Sequence, residues 1–259
     1  MPALRARNSG GETGLPARVM RRIRIHVAYD GGGFHGWQVQ PGLPTIQGIL
    51  EEIVSSIEKR PVPVAGSGRT DAGVHALGQV AAFSIENPIP VLNLRRAINR
   101  LLPPTIRVLC AEEVDSEFHP RFQATGKTYE YRIFRAEVCA PFEWPYVHHF
   151  PYPLDEARMA ELAAAFEGEH DFTAFAASDD RDAEGRSKVR RIFESTVIRE
   201  GDRLIYRVRG SGFLKHMVRN IVGTLIEAGK GNIADVTTLP AKCGPTAPAK
   251  GLFLIKVDY

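Results

Sequence analysis

Apolar and polar residues alternate along Arg21–Asp30, with Ile23, Ile25, Val27 and Tyr29 in one phase. A period of two predicts a half-buried strand, ended by the glycines that follow. Ile46, Ile49, Leu50, Ile53, Val54 and Ile57 then recur at helical spacing, and Thr45 stands where an N-cap is needed. "VPVAG" predicts a short strand and "GQVAAFSIE" a longer one. Val91–Leu102 is a helix stopped by Pro103 and Pro104, and "TIRVLCAEEV" is another strand. The order is strand, helix, strand, strand, helix, strand.

That order repeats. "KTYEYRIF" is a strand, a helix runs from about Asp155 to Glu167, "RRIFESTVI" and "RLIYRVRG" are strands, a helix runs from about Leu214 to Ala228, and "GLFLIKVDY" is a strand. Leu154 and Met159 fit a hydrophobic staple, and Gly168 fits a helix stop. The fold class is therefore α/β, of the α+β kind, with two ferredoxin-like βαββαβ halves at 22–124 and 125–259. Side by side, they would make a broad mixed or antiparallel sheet with helices on one face. The other face would be a wide surface suited to reading RNA. Residues 1–21, rich in small residues and without periodicity, are expected to be a disordered tail, with Met20 as the native start.

Composition narrows the class. Among 259 residues, 44% are hydrophobic, enough for a real core. No apolar run approaches the ~18 residues of a membrane span and no signal-like centre is present, so a soluble, cytoplasmic protein is expected. Cys110, Cys139 and Cys243 are odd in number and scattered, which suggests neither a disulfide framework nor a zinc site; they are expected to be buried and reduced. The net charge of +3 says little, but ten Lys or Arg fall between Arg186 and Arg219 against three acids. That local excess favours a polyanionic partner, although charged strand and helix surfaces produce the same pattern without one.

Three stretches carry candidate chemistry. "GGGFHG", Gly31–Gly36, matches a dinucleotide fingerprint in form, but Trp37, Pro41 and Pro44 intervene before any helix, so glycines of a mobile loop explain it better. "GSGRTDAGVHA", Gly66–Ala76, places a lone carboxylate, Asp71, in a loop whose glycines permit close approach of a ligand. Arg69 stands within reach of an ion pair that would orient Asp71 as a nucleophile or base; alternatively Asp71 bonds its own turn. "FHPRFQATGKTYEYR" interleaves aromatic and basic side chains in a manner suited to stacked bases and phosphates. "SGFLKHMVRN" places Lys215, His216 and Arg219 at the start of a helix, where backbone amides favour anions; Arg219 could equally be a buried ion-pair member in need of a carboxylate.

These stretches, together with "YDGGGFHGWQVQPGLPTIQG", "HDFTAF" and "TAPAKGLFL", resemble the tRNA pseudouridine synthase A family from Ile23 to Tyr259. The resemblance implies the pseudouridine synthase fold and a homodimeric isomerase, without metal or other cofactor, converting uridine to pseudouridine at positions 38 to 40 of the tRNA anticodon stem-loop. Matched motif by motif, it implies that Asp71 is the catalytic aspartate, Tyr129 the tyrosine contacting the target uracil, and Leu252 an apolar wall of the uracil pocket. Arg69 would act in base flipping, and Arg219 would pair with Asp71. Phe118, His119, Arg121 and Phe122 fall in an RNA-binding segment. Arg186 and Lys188 lie in "SDDRDAEGRSK", which matches a tRNA-contacting loop only loosely. The rival readings are a non-catalytic RNA-binding module, which the missing RNP1 pattern opposes, and, more distantly, a dinucleotide-dependent oxidoreductase.

Overall fold

A computed structural model describes residues 19–178, 185 and 187–259. The expected tail lies outside the described residues as far as residue 18, and Arg21, counted in that tail, already opens the first strand. The first half consists of β1 (Arg21–Tyr29), α1 (Ile46–Glu58), β2 (Ala65–Gly66), β3 (His75–Ile85), α2 (Val91–Leu101) and β4 (Ile106–Val114). The second consists of β5 (Gly126–Phe134), β6 (His148–His149), α3 (Glu156–Ala165), β7 (Gly168–Asp171), β8 (Val189–Glu200), β9 (Arg203–Gly210), α4 (Met217–Gly229) and β10 (Leu252–Asp258).

Spatial order reveals the duplication. In the first half the strands lie β4-β1-β3-β2 and in the second β10-β5-β9-β8, the same permutation of fourth, first, third and second. β6 and β7 are additions that the periodicity did not mark, because two and four residues are too few to show one. β10 joins the halves by running parallel to β3 through only two residue pairs, Phe253 with His75 and Leu254 with Ala76. Among the described residues the result is one ten-stranded mixed sheet.

The alternation read in the sequence sets which face is buried. Ile23, Ile25, Val27 and Tyr29 of β1 and Tyr129, Tyr131 and Ile133 of β5 share one core with Leu50 of α1, Leu94 of α2, Leu162 of α3 and Ile221 of α4. The helices therefore cover one face of the sheet, and each buried Leu or Ile stabilises it by roughly 1.5–3 kcal/mol. Thr45 and Asp155 cap as expected: Gly48 N donates to Thr45 Oγ1 at 3.3 Å, and Arg158 N to Asp155 Oδ1 at 3.1 Å.

One expectation fails here. Cys110 is exposed and Cys139 and Cys243 are half-buried, so none is a core cysteine, although all three are unpaired. Half of the basic residues counted in 186–219 pair with acids of the fold. Arg199, Arg203, Arg207, Arg209 and Arg219 pair with Glu156, Glu143, Glu130, Asp258 and Asp71, respectively. A count along the chain cannot see acids that other elements bring alongside.

Candidate active site

The loop between β2 and β3 is fixed from every side before any ligand arrives. Lys127 Nζ donates to Ser67 O at 2.7 Å, Gln79 Nε2 to Gly68 O at 3.0 Å, and Trp37 N to Thr70 O at 3.1 Å. Ser67 Oγ donates to Gln79 Oε1 at 2.6 Å, and the hydroxyls of Tyr29 and Thr70 lie 2.8 Å apart. A buried polar network in which each group finds a partner holds a single geometry.

The Gly31–Gly36 stretch is part of this support rather than a mobile loop. A Cβ on Gly31 would collide with the Val74 carbonyl, and the Gly31 N–H donates to His75 Nδ1 at 3.1 Å. Gly36 has φ +86°, in the left-handed region, and a Cβ there would sit 2.6 Å from Thr70 O. These two positions need glycine because the loop bearing Asp71 is pressed against them.

Asp71 projects from this framework. Its Oδ2 lies 3.2 Å from Arg219 Nη1 and 3.7 Å from His216 Nε2. Arg69 is not the partner: it is exposed and makes no ion pair among the described residues. Neither does Asp71 bond its own turn through its side chain; the loop's local bond is backbone, Val74 N to Asp71 O at 3.2 Å. Arg219, on the first turn of α4, is itself fixed, since Nε donates to Ala247 O at 2.8 Å and Ala247 N returns a bond to Arg219 O at 3.1 Å. The helix starts at Met217, later than the expected Leu214, because His216 adopts a left-handed conformation at its N-cap (φ 60°). Lys215 therefore lies before the helix, and its Nζ donates to Ser178 O at 3.0 Å.

Opposite Asp71 stands Tyr129, buried against Phe213 in an edge-to-face contact with ring centroids 5.1 Å apart. Burial, reinforced by Tyr29 and the Asp71 charge, raises its phenol far above the ordinary range, so it stays protonated. Leu252 forms an apolar wall, also buried. Asp71, Arg69, Tyr129, Arg219 and Leu252 thus meet in one pocket of about 850 Å³. Tyr129 and Leu252 lie in the strand phase that faces the helices, so the pocket opens on the helix-bearing face, between the helices of the two halves, and not on the bare face expected to read RNA.

The remaining assignments divide. His119, Arg121 and Phe122 line the pocket mouth, with Phe122 77% exposed and its ring 4.2 Å from that of His119. Phe118 turns away: it is buried, packed against Tyr259 and beneath Arg24. Arg186 lies outside the described residues, and Lys188, half-buried, does not line the pocket. Reading the sequence passed over Lys127, although "GKTYEYRI" puts it two residues before Tyr129 and hence on the same face of the strand. Burial, with the nearby Arg121 charge, brings its ammonium down to about 8. Among the described residues there is no cluster of three or more metal-ligating side chains and no helix long and apolar enough to cross a membrane.

Two fused ferredoxin-like halves forming one mixed sheet, with Asp71 the one carboxylate among the described residues lining the pocket between them, fit the pseudouridine synthase fold. The family model for tRNA pseudouridine synthase matches residues 25–123 and 162–259. The tRNA pseudouridine synthase A of Solibacter usitatus is 79% identical over 240 residues, covering 93% of this chain and 100% of that protein. Those of Limosilactobacillus fermentum and Citrifermentans bemidjiense are 46% and 43% identical, each over 93% of this chain and covering 96% and 98% of their own lengths. The chain belongs to the tRNA pseudouridine synthase family, and it is an isomerase.

Proposed function

We propose that the protein isomerises uridine to pseudouridine at positions 38 to 40 of the tRNA anticodon stem-loop, with Asp71 as the essential carboxylate and no cofactor. The observation that carries this reading is the Asp71–Arg219 ion pair at 3.2 Å, set in a pocket walled by Tyr129 and Leu252. The reaction breaks the N1–C1′ bond, turns the detached uracil and joins C5 to C1′. Attack on C1′, attack on C6 and removal of the 2′ proton all require one ionised, well-oriented carboxylate, and the guanidinium of Arg219 orients it.

A uridine in a stem must first leave its stack, at a cost of roughly a few kcal/mol. Arg69, exposed at the pocket and without an ion pair among the described residues, is suited to fill the vacated space. The uracil then lies against Tyr129. As a phenol held in its protonated form, Tyr129 can relay the C5 proton but cannot take it up as a standing phenolate. His119, Arg121 and Phe122 at the mouth supply charge and a stacking ring for the flanking strand. The two halves, 22–124 and 125–259, act as one catalytic unit in a cytoplasmic homodimer. The exposed Val138, Phe142 and Tyr152 between β5 and α3 support a partner surface.

Tritium release from an anticodon stem-loop carrying [5-³H]uridine tests the assignment. Wild type should release tritium without added cofactor, and Asp71→Asn should release none while binding the RNA with similar affinity. Turnover by Asp71→Asn would refute it.

A further inference from the structure

Lys127 differs from the arginines that surround it in the chain's second half. Arg199, Arg203, Arg207, Arg209 and Arg219 each have a carboxylate, whereas among the described residues none pairs with Lys127. Its ammonium makes one hydrogen bond there, to Ser67 O at 2.7 Å, leaving two N–H groups without a protein acceptor. Gly68 leaves the space it occupies: a Cβ on that glycine would lie 2.6 Å from Lys127 Nζ. The side chain is half-buried and lines the pocket on the same strand face as Tyr129, with Arg121 close enough to repel it.

A desolvated cation near a second cation in a pocket is relieved by an anion. The pocket's 850 Å³ has room for more than a base and its sugar. The anion that accompanies every nucleotide of a polynucleotide is its phosphodiester. Uracil itself is the poorer partner, being neutral until the N1–C1′ bond breaks. We propose that Lys127 is a substrate-binding residue, its ammonium clamping one phosphodiester that flanks the flipped nucleotide while its bond to Ser67 ties that clamp to the Asp71 loop. This rests on the reading of the pocket as the uridine site. It adds the phosphate contact and couples backbone capture to the position of the carboxylate.

Binding of a synthetic anticodon stem-loop RNA, followed by fluorescence anisotropy across a salt series, tests the clamp for wild type and Lys127→Met. The variant should bind about ten-fold more weakly, with a log–log salt slope smaller by roughly 0.7 to 1, the signature of one lost phosphate contact. RNAs bearing a neutral methylphosphonate immediately 5′ or 3′ of the target nucleotide supply the second arm. At one of these positions wild type should lose about as much affinity as Lys127→Met does on unmodified RNA, and the variant should be insensitive there. If Lys127 only braced the loop, the variant would lose kcat with unchanged affinity and salt slope, and that result overturns the proposal. Wild-type indifference to both methylphosphonates overturns it too, even if Lys127→Met fails to fold. Absence of pseudouridine formation by wild type on unmodified RNA would sink the isomerase assignment instead, and the binding data would still decide the clamp.

Discussion

At the scale of single residues, the site depends on one arginine with two jobs. Arg219 gives Nε to Ala247 O and Nη1 to Asp71, from different edges of one planar group. A lysine has a single point of donation and cannot serve both. Arg219→Lys should therefore keep the fold while lowering turnover by about ten- to a hundred-fold, in line with the roughly 1.5–3 kcal/mol of a charged hydrogen bond. Single-turnover rates at saturating RNA would measure this, and a variant with wild-type rates would show that the pair is dispensable. The residue types at this site were legible in the sequence; the pairing of Arg219 with Asp71 came from the family resemblance, whereas spacing alone pointed to Arg69. Arg69 lies two positions from Asp71, yet the carboxylate meets an arginine 148 residues away. Proximity along a glycine-rich loop says little about which side chain the fold will bring across a pocket.

At the scale of elements, the loop carrying Asp71 holds its shape because neighbouring segments leave it no other. Gly36 tests this without touching a group that meets substrate. Gly36→Ala adds a methyl that must displace Thr70 O and puts a side chain into a left-handed conformation. A loss of roughly 1–3 kcal/mol is expected, or a fall of about 3–10 °C in Tm. Turnover at permissive temperature should also fall by more than ten-fold, because the displaced Thr70 is the immediate neighbour of Asp71. Thermal melts with parallel tritium-release assays would check both; normal turnover in a destabilised variant would show that the loop does not need this buttress. The long periodic elements were readable, as were their caps at Thr45 and Asp155. The glycine stretch was misread as mobile because its partner is Val74, 43 positions further along the chain, and nothing local announces it. The start of α4 was set too early for a similar reason: Leu214 continues the apolar pattern, but the chain is still turning at His216.

At the scale of the whole molecule, the core contains phenols that its pH stability should report. Burial raises Tyr29 to about 12 and lifts Tyr129, Tyr131 and Tyr206 further, whereas unfolded tyrosines ionise near ~10. Between these values the unfolded chain holds fewer protons than the folded one, so stability falls as pH rises; this contribution is fully present below ~10. Each phenol contributes a slope of about 1.4 kcal/mol per pH unit. Lys127, lowered to about 8, acts in the opposite sense between that value and ~10.5, so a small rise should precede the fall. Urea midpoints from pH 7 to 11 should thus drop steeply above pH 10, and a flat profile to pH 11 would show that the phenols are not buried in solution. The repeated element order announced the duplication, but which strands meet at the join was not legible, since two residue pairs between β3 and β10 leave no pattern of their own.

That join has a consequence for how the protein comes into being. Asp71 lies in the first half, whereas Tyr129, Arg219 and Leu252 lie in the second, and the strand that unites the two sheets, β10, follows every other element. A nascent chain can pair β1 to β4 as residues 21–114 emerge, but its Asp71 loop then still lacks Lys127 and Arg219. It remains chemically silent until residues 252–258 have been made and seated, so this isomerase cannot begin work half-built.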